Sequence, residues 1–121
     1  MKIKKTINNR AFRALLNGVK RIEIRANKNN KDINSFNLVD CGDEVIFTNL
    51  KTHEKLKAVI KRKTLYQTIR ELLITEGTRY SLSSTNDLEM GIKSIESIGD
   101  YKKLINKNGV FAIEFEEVET I

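Results

Sequence analysis

One cysteine, one histidine, no proline and no tryptophan leave this 121-residue chain short of several common chemistries. With Cys41 alone, no internal disulfide can form, which fits a reducing compartment. A structural zinc site needs about four cysteine or histidine ligands, so no metal is expected. Cys41 and His53 could in principle form a catalytic pair, but Cys41 lies beside the turn signal Asp40, Gly42 and Asp43, and His53 lies in a polar loop. No apolar run approaches the ~20 residues that span a bilayer. The basic start, Met1-Lys2-Ile3-Lys4-Lys5, is not followed by the apolar region of a signal peptide. These absences predict a cytoplasmic chain with no membrane partner. The missing proline also leaves no linker marked, and the length suits one domain spanning residues 1–121.

Charge is what the chain has, and it is unevenly placed. Net charge is +6, with ten lysines and arginines against Glu23 alone among residues 1–31, and four glutamates with no cation among the last twelve residues. A basic half favours polyanions, with an affinity that falls as salt rises. The alternative is an ordinary solvated surface.

The order of elements follows from periodicity. Ile3 to Ile7 reads as a strand. Asn8 or Asn9 can cap a helix whose stripe is Phe12, Leu15, Leu16 and Val19, stopped by Gly18. Residues 20–26 read as a second strand in which Arg21, Glu23 and Arg25 share one face while Ile22 and Ile24 enter the core. Residues 27–32 read as a polar loop. Strands follow at 44–48 and 55–63. Thr64-x-x-Gln67 resembles a capping box before a helix carrying Leu65, Ile69, Leu72 and Leu73. Thr78 to Thr85 reads as a loop, and Leu88, Ile92 and Ile95 as a third helical stripe. Asp100 to Asn108 reads as a charged connection, and Phe111, Ile113 and Phe115 as one face of a closing strand. Strand, helix, strands, helices, strand predicts an α+β domain built on a small curled sheet.

Four segments, in order, carry a family resemblance: Gly18-x-Lys20-x-Ile22-Glu23-x-Arg25, Gly42-Asp43-x-Val45-x-Phe47, Tyr66-x-Thr68-x-x-x-Leu72-Leu73, and Gly109-Val110-x-Ala112-Ile113-x-Phe115. Together they resemble the ASCH domain of the PUA-like superfamily, from about Met1 to Val118. The resemblance implies a β-barrel of five to six strands flanked by about three helices, with a cleft beside the barrel. It also implies RNA binding or RNA-related regulation. Some similar proteins are amidohydrolases of an acetylated cytidine, of the N4-acetylcytidine type, and others look like ribonucleases. That hydrolase site uses a lysine, a threonine three positions later and a glutamate near the end of the second helix. Lys20 matches the lysine, Glu23 replaces the threonine, and Glu76 is the counterpart of the glutamate. Losing the hydroxyl removes the usual nucleophile or its positioner, which favours binding over catalysis. No cofactor is implied.

Two readings therefore stand. In the first, an RNA, nucleotide or nucleoside sits in a basic cleft, with phosphates met by Arg10, Arg13, Lys20, Arg21 and Arg25, and bases stacked on Tyr66, Tyr80 or Tyr101. In the second, Lys20, Glu23 and Glu76 converge as catalytic groups, a carboxylate acting as base and the lysine polarising a carbonyl. The plain alternative for Lys20, Glu23 and Arg25 is a structural ion pair. Nothing in the sequence sets the oligomeric state.

Overall fold

The computed structural model describes residues 1–121. Strand β1 (Lys2–Ile7) leads into helix α1 (Asn9–Leu16), then β2 (Ile22–Ala26), β3 (Glu44–Asn49) and β4 (Lys55–Tyr66). Four helices follow: α2 (Ile69–Glu76), α3 (Thr78–Ser81), α4 (Leu88–Glu96) and α5 (Tyr101–Asn108). Strand β5 (Val110–Thr120) ends the chain. The strands form one sheet in the order β1-β3-β4-β5-β2, curled into a half-barrel. Only β1 and β3 pair in parallel. Parallel neighbours need a long crossover, and here it contains α1 and β2, which places β2 at the opposite edge from β1.

The pleat sends alternate residues to opposite faces, and both faces are covered. Phe111, Ile113 and Phe115 of β5 join Leu56, Ala58 and Ile60 of β4 in a core sealed by Phe12 and Leu15 of α1 and by Phe36 and Val39 of the long loop. Phe47 and Phe115 meet there edge to face, 5.5 Å between centroids, a favoured aromatic geometry. Val110 and Ala112 of β5 turn the other way. They meet Ile22, Ile24 and Ala26 of β2 under Leu72, Leu73, Ile92 and Ile105 of the helical layer. Because Ile22 and Ile24 belong to that second core, Glu23 and Arg25 face the α1 side.

The α+β half-barrel agrees with the sequence reading, but five helices stand where about three were expected. Helix α1 is capped by Asn8, whose side chain accepts from the Ala11 N–H at 2.8 Å. It ends at Leu16, so Val19 falls off the stripe and is 56% exposed. The box at Thr64 is not used. Thr64 lies within β4, and Thr68, four residues later, caps α2 by accepting from Glu71 N–H. Leu65, still in the strand, points away from the core and is exposed. Helices α3 and α5 lie where a loop and a connection were read. Tyr101, Leu104 and Ile105 do carry the i, i+3, i+4 spacing of a short amphipathic helix, but lysines and asparagines around them mask it.

Gly109 joins α5 to β5 at φ +87°, and a Cβ there would stand 2.6 Å from the Tyr66 carbonyl oxygen. Neither the backbone angle nor the clash can be relieved by rotating a side chain. Gly109→Ala should therefore lower unfolding free energy by about 1–3 kcal/mol, read as a lower urea midpoint with unchanged slope. An unshifted midpoint would contradict this packing.

Candidate functional site

Strands β1 and β2 are the two edges of the half-barrel, and an arginine bridges the seam between them. Arg25 of β2 donates from Nη2 to the Thr6 carbonyl of β1 at 3.1 Å. Its other bonds go to Glu23, two residues back on the same face: Nε to Oε2 at 2.8 Å, with Nη2 2.7 Å from the same oxygen. The second carboxylate oxygen of Glu23 lies 3.5 Å from Nζ of Lys20. Lys20 in turn donates to the carbonyls of Ile22 at 2.6 Å and Ser81 at 2.7 Å. The three acceptors match the three N–H bonds of an ammonium. Lys20 reaches them because the chain reverses through Gly18 (φ +75°) and its own N–H bonds the Ala14 carbonyl. The bond to Ser81 ties β2 to α3.

Lys20 and Glu23 are 5% and 7% exposed, so this charge chain is nearly dry. Burial alone would push the Glu23 carboxyl upward, but Arg25 and then Lys20 outweigh it and hold the group below its usual range. Burial pulls the Lys20 ammonium down, more than Glu23 raises it. The plain alternative, a structural ion pair, is thus present, but it does not lie on a flat exterior. It forms the floor of an open hollow of about 340 Å³, whose wall includes Arg10, Ser81, Ser83 and Tyr101. Arg10 reaches the wall from α1, held only by a 3.4 Å bond to the Ser83 hydroxyl. Arg25 keeps Nη1 free of protein acceptors. The Ser81 hydroxyl is buried, closed off from solvent and without a hydrogen-bond partner.

Several sequence candidates lie elsewhere. Glu76 does not line the hollow. Arg62 grips its carboxylate with Nη1 at 2.8 Å and Nη2 at 2.6 Å, and the Tyr66 hydroxyl donates to it as well. Arg62 also bonds Thr64 and Glu114, so this network clamps α2 onto β4 and β5. Lys20, Glu23 and Glu76 therefore do not converge: β4 carries an arginine that captures Glu76 first. Tyr66, buried and with its hydroxyl pushed up to about 12 by burial and by Glu76, offers no face for stacking. Arg13 is paired with Glu54 outside the hollow. Arg21 lies over the Tyr80 ring, 4.5 Å from its centroid, with Arg79 at 5.3 Å, and neither Arg21 nor Tyr80 reaches the hollow. Arg10, Lys20, Glu23, Arg25 and Tyr101 are brought together as a set. Ser81 and Ser83 were missed; the polar run Ser81 to Thr85 reads as a loop from sequence, with nothing to say that its first residues line a wall. No cluster of three or more histidine, cysteine, aspartate or glutamate residues is placed to hold a metal.

No family model and no curated protein matches the chain. Solved structures do. Over its full length the chain is similar to hypothetical protein PH0355, known from a crystal structure, with a TM-score of 0.80, 27% identity and complete coverage of both chains. It is also similar to protein PF0455 from Pyrococcus furiosus, solved by NMR in solution, with a TM-score of 0.72 and 26% identity over 100% of this chain and 98% of that one. The shared curled sheet with its helices is compatible with a small PUA-like fold. No helix is long and apolar enough to cross a membrane.

Glu23→Gln would leave the buried Lys20 and the half-buried Arg25 without their counter-charge, and breaking such a buried pair typically costs about 3–5 kcal/mol. The sign with pH follows from its lowered carboxyl. The stabilisation is fully present above the ordinary carboxylate pKa of about 4.3 and is lost as pH falls through the folded-state value. The urea midpoint of wild type should fall on acidification below about pH 4, and the variant should lack that part of the dependence. Equal stability of the two proteins at pH 7 would contradict the assignment.

Proposed function

We propose that this chain is an ASCH-type module that holds RNA or a nucleotide, as a cytoplasmic ligand, in the hollow beside its half-barrel. The observation that carries the reading is that Lys20 and Glu23 border an open space instead of locking together on a flat surface. At about 340 Å³ the space falls in the range of small-molecule sites. The roles divide by availability. Lys20 has spent its donors on Ile22, Ser81 and Glu23, so it shapes the floor. Arg25, with Nη1 free, and Arg10, loosely held, are the cations a phosphate can reach. Tyr101 supplies an aromatic wall against which a base can stack.

The same geometry argues against hydrolysis. A general base works best with a pKa near the operating pH, and Glu23 is shifted away from neutrality. Glu76, the other carboxylate of that reading, is engaged by Arg62.

Titration of the protein with a short labelled oligouridylate, followed by anisotropy, tests the reading. Binding should weaken with salt, with a slope of log K against log salt of about −0.7 per phosphate contacted. Arg10→Glu should weaken it a further tenfold or so. Failure to bind any RNA or nucleotide at low salt, or binding indifferent to salt, would overturn it. Release of acetate from N4-acetylcytidine, or cleavage of the oligonucleotide during the titration, would favour the amidohydrolase or ribonuclease instead.

A further inference from the structure

A second hollow, of about 250 Å³, adjoins the first, and only Arg25 and Tyr101 line both. Its far wall comes from β1 and the long loop after β2, where Lys5 and Lys28 stand with Asp32, Phe36 and Asn37. Neither lysine has an ion-pair partner. Lys5 lies 5.1 Å from the centroid of the Phe36 ring, and Arg25 lies 5.5 Å from the same centroid. Three cations thus surround this space against one carboxylate, Asp32. Burial, then the nearby charges of Arg25 and Lys28, push the Lys5 ammonium below its ordinary value, and only Asp32 opposes them. Lys5 and Lys28, cations without an ion-pair partner beside the paired Arg25, favour an incoming anion.

We propose that the two hollows are consecutive subsites, so that the ligand is a single-stranded nucleic acid of at least two nucleotides, with the phosphate that joins them seated on Arg25. This deepens the reading given above and rests on it. A mononucleotide fills one hollow and leaves Lys5 and Lys28 facing each other across empty space. A dinucleotide places its linking phosphate where the hollows meet, against the two free N–H bonds of Arg25 Nη1. Its second unit then lies beside Lys5 and Lys28. Tyr101, shared by both spaces, stands between the two bases. Asn37 is partly engaged: one amide N–H donates to Asn27 Oδ1 at 2.6 Å and its Oδ1 accepts from the Ser35 hydroxyl at 2.9 Å, which leaves one N–H. The cations of the second subsite meet phosphate charge and do not read sequence.

Calorimetric titration with uridine monophosphate and with the 5′-phosphorylated uridine dinucleotide separates this inference from the reading beneath it. The dinucleotide should bind at least about tenfold tighter than the mononucleotide. Lys28→Ala, at an exposed loop position whose side chain makes no hydrogen bond or ion pair, should remove most of that advantage. The Lys5→Ala/Lys28→Ala double variant should abolish it, and both should leave mononucleotide affinity unchanged. Equal affinities for the two ligands, or an advantage that survives in the double variant, would overturn the second subsite while the first hollow stands. Absence of binding by both ligands would overturn the inference and the underlying reading together. Displacement of the dinucleotide by an equally charged polyglutamate peptide at the same concentration would also overturn it, by showing a general anion surface.

Discussion

A buried carboxylate between two cations organises this molecule. The half-barrel leaves a seam because its order places β1 and β2 at opposite edges, and unpaired edges expose main-chain groups. Arg25 answers part of that problem by donating across the gap to Thr6, but an arginine in so dry a place needs a counter-charge. Glu23 supplies it, and Lys20 supplies the other half of what Glu23 needs. Each member is tolerable only in the presence of the others, which is the general condition for burying charge. The hollow exists because this polar floor fills the seam without closing it.

A second polar network shows what a purely structural cluster looks like in the same fold. Arg62, Glu76, Tyr66, Thr64 and Glu114 bond one another so that the guanidinium and the Glu76 carboxylate are fully engaged. Arg62 and Glu76 stand outside the hollow that Lys20 and Glu23 border. The contrast lies in spare valence. Beside Glu23, the Nη1 of Arg25 remains without a protein partner, and Arg10 is barely restrained.

The sheet was legible in the sequence because strand alternation leaves a strong local mark. Phe111, Ile113 and Phe115 against Ala112 and Glu114 could be read in no other way. Glu23 and Arg25 were legible for the same reason, since alternation puts them on one face wherever the strand lies; Lys20 was singled out by the family resemblance, because alternation alone sends it to the side of Ile22 and Ile24. What alternation cannot supply is the partner across space. Glu76 and Lys20 were joined by analogy of spacing, yet Arg62, fourteen residues before Glu76, takes that carboxylate. Helix α3 was hidden because four residues carry no periodicity of their own, and α5 because lysines and asparagines mask its short apolar stripe. The wall residue Ser81 had no mark at all: a serine that opens a polar run looks the same whether it lines a hollow or faces water.

The central claim is that the space above Lys20 and Glu23 receives a phosphate-bearing ligand. Chemical-shift mapping on the isotope-labelled protein during addition of uridine monophosphate tests it most directly. The expected result is a saturable set of shifts at Arg10, Arg25, Ser81 and Tyr101, including the guanidinium resonances of Arg25, with Arg13 and the Arg62–Glu76 network unmoved. Shifts confined to the exposed lysines and arginines outside the hollow, or no saturable shift at all, would contradict it.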